Sequence, residues 1–284
     1  MTMRLDSSRR GLSMAELLVG MVILAIVGLS LTRIMVTQAR YFDHQKKANG
    51  ARNVSRGPLN RVVSDIRMVE ALGGVVSANP TAITVRVPYA IGVVCTSSDG
   101  SGTHMSMLPV DSAMYYGAGY SGYAWRNGAG KYTYMDSGTL HDDGDLGLCN
   151  AAGIVTLTAE KGAARRITPK MTDTASVGTP VFIYRKILYE FKNSTSIPGT
   201  LGLFRTIVAT NASEELSAPY ESAAKFRFYV GSSTTAVDTP PAQLSTLRGI
   251  EMNMTGVSEK IASGGTQKER APFVTAVFFK NRLN

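Results

Sequence analysis

The chain has 284 residues, 44% of them apolar and 18% charged, which is enough apolar material for a real core and rules out wholesale disorder. Its 30 lysines and arginines against 21 acidic residues give a net charge of +9, but that excess is uneven. Residues 1–11 hold three arginines against one aspartate, residues 12–70 eight basic against four acidic side chains, and residues 71–284 nineteen against sixteen. The bulk of the chain is therefore close to neutral, and a nucleic-acid-binding face on it loses its electrostatic motive.

From Leu12 to Leu31 the chain reads LSMAELLVGMVILAIVGLSL, with Glu16 as its single charge. Twenty helical residues span roughly 30 Å, the thickness of a bilayer's hydrocarbon layer. The run passes into a helical pattern with no small-residue cleavage site behind it, unlike a secretory signal peptide. A carboxylate inside an apolar membrane segment costs about 2.5–3.5 kcal/mol on insertion scales, so Glu16 calls for a partner or a function; the alternative is a place at the headgroup level in a ragged helix start.

Arg9-Arg10-Gly11 followed by Leu12-Ser-Met-Ala-Glu16 resembles the leader signal of type IV pilins and type II secretion pseudopilins. The resemblance implies cleavage after Gly11 by a prepilin peptidase and N-methylation of Leu12 by the same enzyme. It also implies that Glu16 pairs with a subunit's free N-terminus during filament assembly. The family usually has Phe or another large hydrophobe at the first mature position, where this chain has Leu12. Residues 1–11 are then the leader, 12–31 the membrane and filament-core helix, 32–72 its amphipathic continuation, and 73–284 the extracytoplasmic body. The basic leader ahead of the apolar run fits a cytoplasmic N-terminus in a single-pass inner-membrane protein.

In the second segment Leu59, Val62, Val63, Ile66 and Val69 form a helical stripe able to lie on a sheet. Gly57-Pro58 is expected to kink or break the helix, and Gly73-Gly74 to follow its end near Leu72. Beyond it the apolar period shifts towards two. Strands are expected at Ala82–Pro88, Gly153–Thr158, Pro180–Tyr184, Leu188–Lys192, Leu201–Arg205, Lys225–Val230, Leu247–Thr255 and Phe273–Phe279. Ser196-Ile-Pro-Gly199 marks a hairpin. The fold class is α+β, a long N-terminal helix packed on an antiparallel sheet. The strand order of residues 180–284 loosely resembles the large minor subunits, the J-type pseudopilin and the W-type minor pilin. By that resemblance the protein sits in a tip or priming complex with other pilin or pseudopilin subunits. A body acting as an adhesin or DNA-uptake receptor is the alternative.

Cys95 and Cys149, placed by the anchor in an oxidising compartment, are expected to form a disulfide, with two free thiols as the alternative. Asp142, Asp143 and Asp145 surround a glycine and have the hardness calcium prefers, though without the spacing of an EF-hand; an acidic turn is the simpler reading. A zinc site from Cys95, His104, His141 and Cys149 lacks compact spacing. Gly117–Gly122 matches a dinucleotide fingerprint by letter, but the residues after Gly122 read as a turn, with no helix to receive a pyrophosphate. Between Tyr115 and Tyr134 lie six tyrosines and the only tryptophan, read as a glycine-broken hairpin with core aromatics or else as a contact surface. No nucleophile–base pattern appears, so neither an enzymatic activity nor a small-molecule substrate is expected, and no cofactor beyond calcium.

Overall fold

The structure is a computed structural model, and it describes residues 13–99, 102–117, 119–136, 138–142, 149, 164–168 and 175–279. The expected strand at 153–158 lies outside them. Helix α1 runs from Met14 to Arg56 and α2 from Leu59 to Arg67. The interruption falls at Gly57-Pro58, as the missing proline amide requires.

Its consequence is a docking point. In an unbroken helix the Val54 carbonyl would accept from the amide of residue 58, and proline has none. The hydroxyls of Ser217 and Tyr220 donate to it instead, at 2.9 and 2.7 Å. One residue on, the Ser55 hydroxyl donates to the Ala271 carbonyl at 3.0 Å and accepts from the Gly256 amide at 2.9 Å.

Helix α2 lays Val62 and Ile66 into the core. It ends five residues before Leu72: the amides of Met68 and Val69 turn back three residues, to Asp65 and Ile66, which tightens the chain and still delivers Val69 to the core. A carboxylate rides on the same face. Asp65, buried, accepts from the Tyr189 hydroxyl at 2.6 Å and from Arg205 Nε at 3.1 Å. The cation is 4% exposed, so the pair is a fixed, desolvated link between helix and sheet.

Among the described residues the body is an antiparallel sheet of thirteen strands: β1 (Val75–Ala78), β2 (Ala82–Asp99), β3 (Gly102–Met107), β4 (Gly122–Arg126), β5 (Tyr132–Met135), β6 (Thr139–Asp142), β7 (Ala164–Thr168), β8 (Pro180–Asn193), β9 (Leu201–Ile207), β10 (Ala212–Tyr220), β11 (Lys225–Val230), β12 (Leu247–Val257) and β13 (Arg270–Phe278). A short helix, α3 (Pro109–Gly117), comes after β3. The α+β expectation holds. The two segments expected at 180–184 and 188–192 are one strand, and the strand begun at Ala82 continues to Asp99.

The long β2–β8 pair organises the rest. Its outer edges are shared: β1 and β3 take successive parts of β2, while β9 and β4 take successive parts of β8. Two cores result. One, under the helices, contains Ile83, Val85, Ile187, Tyr189, Phe226 and Ile250. The other contains Val94, Met105, Met107, Tyr123, Trp125 and Ile183.

Gly256 sits where α1 meets β10, β12 and β13, paired with Tyr220 on one side and Ala271 on the other. A Cβ there would run into the Ala51 carbonyl and the Ser55 hydroxyl, whereas one at Gly28 would meet nothing within 4 Å. Gly256→Ala is therefore expected to cost about 2–3 kcal/mol through forced separation of helix and sheet. In thermal unfolding of the full chain that is a drop of roughly 5–10 °C, with Gly28→Ala unchanged; equal midpoints for the two variants would contradict the close-approach argument.

Candidate functional site

Of the residues singled out at the N-terminus, Gly11 and Leu12 lie outside the described residues. Ser13 is the N-cap of α1, in an extended conformation. Its side chain accepts from the Glu16 amide at 3.2 Å, and the Glu16 carboxylate accepts from the Ser13 amide at 2.9 Å. The two residues form a capping box. The Ser-x-x-Glu spacing was readable in the sequence, but the apolar run after Glu16 drew attention to its membrane cost rather than to its place in the first helical turn. There the carboxylate also faces the positive end of the helix dipole.

Gly20 lies one turn on, on the face that carries Glu16. It leaves a shallow depression along Ala15, Glu16, Val19 and Ile23. The carboxylate is thus held on one side by its own chain and open on another.

From Ser13 to Arg40 almost every residue of the helix is exposed. Leu18, Leu24 and Leu29 are 64, 72 and 67% exposed, and no other described residue covers them. Protein contacts begin near Asp43 and His44, which bond the Ser263 amide at 2.7 Å and Glu269 at 2.8 Å. At 1.5 Å per residue the free part projects about 40 Å. Polar groups within it are satisfied locally: the Ser30 and Thr32 hydroxyls donate to the carbonyls of Ile26 and Gly28. Among the described residues this is the one helix long and apolar enough to cross a membrane.

In the body, Cys95 and Cys149 are joined in a buried disulfide. The bond removes both thiolates from any zinc site. Asp143 and Asp145 lie outside the described residues, and Asp142 ends β6 opposite Arg165. The glycine-rich aromatic segment forms the β4–β5 hairpin. Tyr123 and Trp125 are fully buried, which removes them from any contact surface. The fingerprint-like run at 117–122 leads into β4, a strand rather than a helix.

One polar cluster was not foreseen. Arg86 donates from Nε and Nη2 to Asp136 at 2.9 and 2.6 Å and also bonds the Gly73 carbonyl. The Tyr184 hydroxyl donates to Asp136 at 2.7 Å, and Lys186 stands 3.1 Å away. Asp136 thereby ties the end of β5 to β2 and β8. Partial burial works against its charge, but the bonds from Arg86, Tyr184 and Lys186 outweigh that and hold its carboxyl well below the usual carboxylate range. Fifty residues separate Arg86 from Asp136, and no local pattern links them.

A depressed folded-state pKa adds stability above the unfolded carboxylate value, near 4, and loses it as pH falls through the folded value. Asp136→Asn is expected to lower the melting point at pH 7 by roughly 2–6 °C, allowing for solvent screening of a side chain 40% exposed. The difference from wild type should shrink below about pH 4. A gap that stays constant from pH 7 to 3 would contradict the role given to the charge.

Comparison with known proteins adds a finding at the N-terminus: residues 6–32 match the family model described as the prokaryotic N-terminal methylation motif. No curated protein and no solved structure matches the chain. The chain thus carries the signal of a pilin-like or pseudopilin-like surface-filament subunit.

Proposed function

We propose that the protein is a minor pilin or pseudopilin, a structural subunit of a type IV pilus or type II secretion filament, placed in its tip or priming complex. The observation that carries the reading is the projecting helix. About 40 Å of apolar surface without a partner among the described residues is stable in a bilayer, or against like helices, and nowhere in water.

Its assembly chemistry follows from the first turn. Cleavage after Gly11 leaves a free amino group on Leu12, and a buried ammonium and a buried carboxylate each offset the other's desolvation when they meet. Glu16 is the one acidic group on the apolar run, and the space beside Gly20 gives a neighbouring subunit's N-terminus a way in. Before assembly the helix crosses the inner membrane once, its N-terminus cytoplasmic and its body outside. The large two-core body, carried on a pilin-type helix, suits a specialised subunit rather than the repeated bulk of a filament.

The partners are the prepilin peptidase, which also methylates Leu12, and neighbouring pilin subunits. Mass spectrometry of the protein isolated from membranes is expected to find N-methyl-Leu12 as its first residue. In cells lacking prepilin peptidase the eleven-residue leader should remain. A leader retained in normal cells would overturn the reading.

A further inference from the structure

Between the turn after α2 and the β4–β5 hairpin lies a cleft of about 510 Å³. Its walls include Tyr132, Tyr134, Phe182 and Tyr184, and Arg67 and Met68, the exposed residues of the lining, mark its mouth. The volume is within the range of small-molecule sites, and the lining suits one: four aromatic and three other apolar side chains against three charged ones, Arg67, Glu70 and Arg86.

The rings do not form a flat platform. Tyr132 meets Phe182 at 5.9 Å with planes 54° apart, and Tyr134 meets Tyr184 at 5.8 Å and 66°. Tilted walls of this kind make a box that receives another ring edge-on or face-on. Burial pushes the Tyr134 and Tyr184 hydroxyls well up, so the walls stay neutral.

The charges at the cleft differ in how far they are committed. Arg86 is occupied by Asp136 and the Gly73 carbonyl and lies over the Tyr134 ring at 4.8 Å. Glu70 is hydrogen-bonded with Tyr132. Arg67 has no hydrogen bond or ion pair among the described residues. An uncommitted guanidinium at the mouth of an aromatic box selects a ligand with a planar apolar end and an anionic end, because its planar fork matches a carboxylate.

We propose that this cleft is a binding site for a small aromatic carboxylate, its ring among Tyr132, Tyr134 and Phe182 and its carboxylate on Arg67. The site is built from the end of α2 and the body's strands and uses no residue of α1. Binding there is separable from assembly, so it stands or falls apart from the filament reading.

The test uses the full chain in lipid nanodiscs, titrated calorimetrically with N-acetylphenylalanine and with its uncharged amide. The acid is expected to bind roughly tenfold more tightly than the amide, the scale of one charge-assisted contact. Arg67→Gln should bring the acid to the amide's affinity. Met68→Trp, a change at a half-exposed position that leaves the cores untouched, should block the mouth and weaken both probes at least tenfold. Three results would each overturn the proposal: neither probe binding the wild type at millimolar concentration, equal affinity for acid and amide, or acid binding unchanged by both variants.

Discussion

Helix α1 has apolar surface that no other described residue covers, and the rest of the molecule is arranged around that constraint. Burying a Leu, Ile or Val side chain is worth about 1.5–3 kcal/mol. Twelve such residues between Met14 and Val36 stand exposed. Their combined transfer energy, tens of kcal/mol, exceeds what any single domain has to spare. The body cannot offset it, and the helix has to be solvated by lipid or by other helices. The capping box of Ser13 and Glu16 and the back-bonded hydroxyls of Ser30 and Thr32 leave few unsatisfied polar groups in the way.

The other end of the helix solves the opposite problem, that of being fixed to a sheet. Pro58 removes an amide and so frees the Val54 carbonyl for Ser217 and Tyr220, while Gly256 lets the strand come close enough to bond Ser55. Below the break, the Asp65–Arg205 pair is buried and hydrogen-bonded to Tyr189. Removing either partner would strand a charge, so the joint resists bending and register shift. A helix held in this way turns its own packing in an assembly into a defined orientation of the body.

Much of this was legible in the sequence because it is written locally. The apolar run, the Gly-Pro break, the Val62–Ile66–Val69 stripe and the β8–β9 hairpin each depend on residues within a few positions of one another. What was missed depends on distant pairings. Strand β10, Ala212–Tyr220, has adjacent glutamates and a proline and does not look like a strand. Glu215 is tolerated because the Ser194 and Thr195 hydroxyls and the Ser196 amide donate to it from the neighbouring hairpin. The buried Arg205 looks like any exposed strand arginine until Asp65 is placed against it. Likewise the Arg86–Asp136 cluster and the aromatic cleft are assembled from the end of α2 and from β2, β4, β5 and β8, so only the sheet register reveals them.

The most direct test of the account concerns Glu16, because its charge and its capping role can be separated. Glutamine at the same position retains a capping box but loses the carboxylate. The measurement is the fraction of Glu16→Gln protein recovered in sheared filaments, relative to its level in the membrane. Membrane insertion is expected to be normal and incorporation to drop tenfold or more, since the neighbouring N-terminus loses its counter-charge. Incorporation equal to wild type would contradict this, leaving Glu16 a helix cap and nothing more.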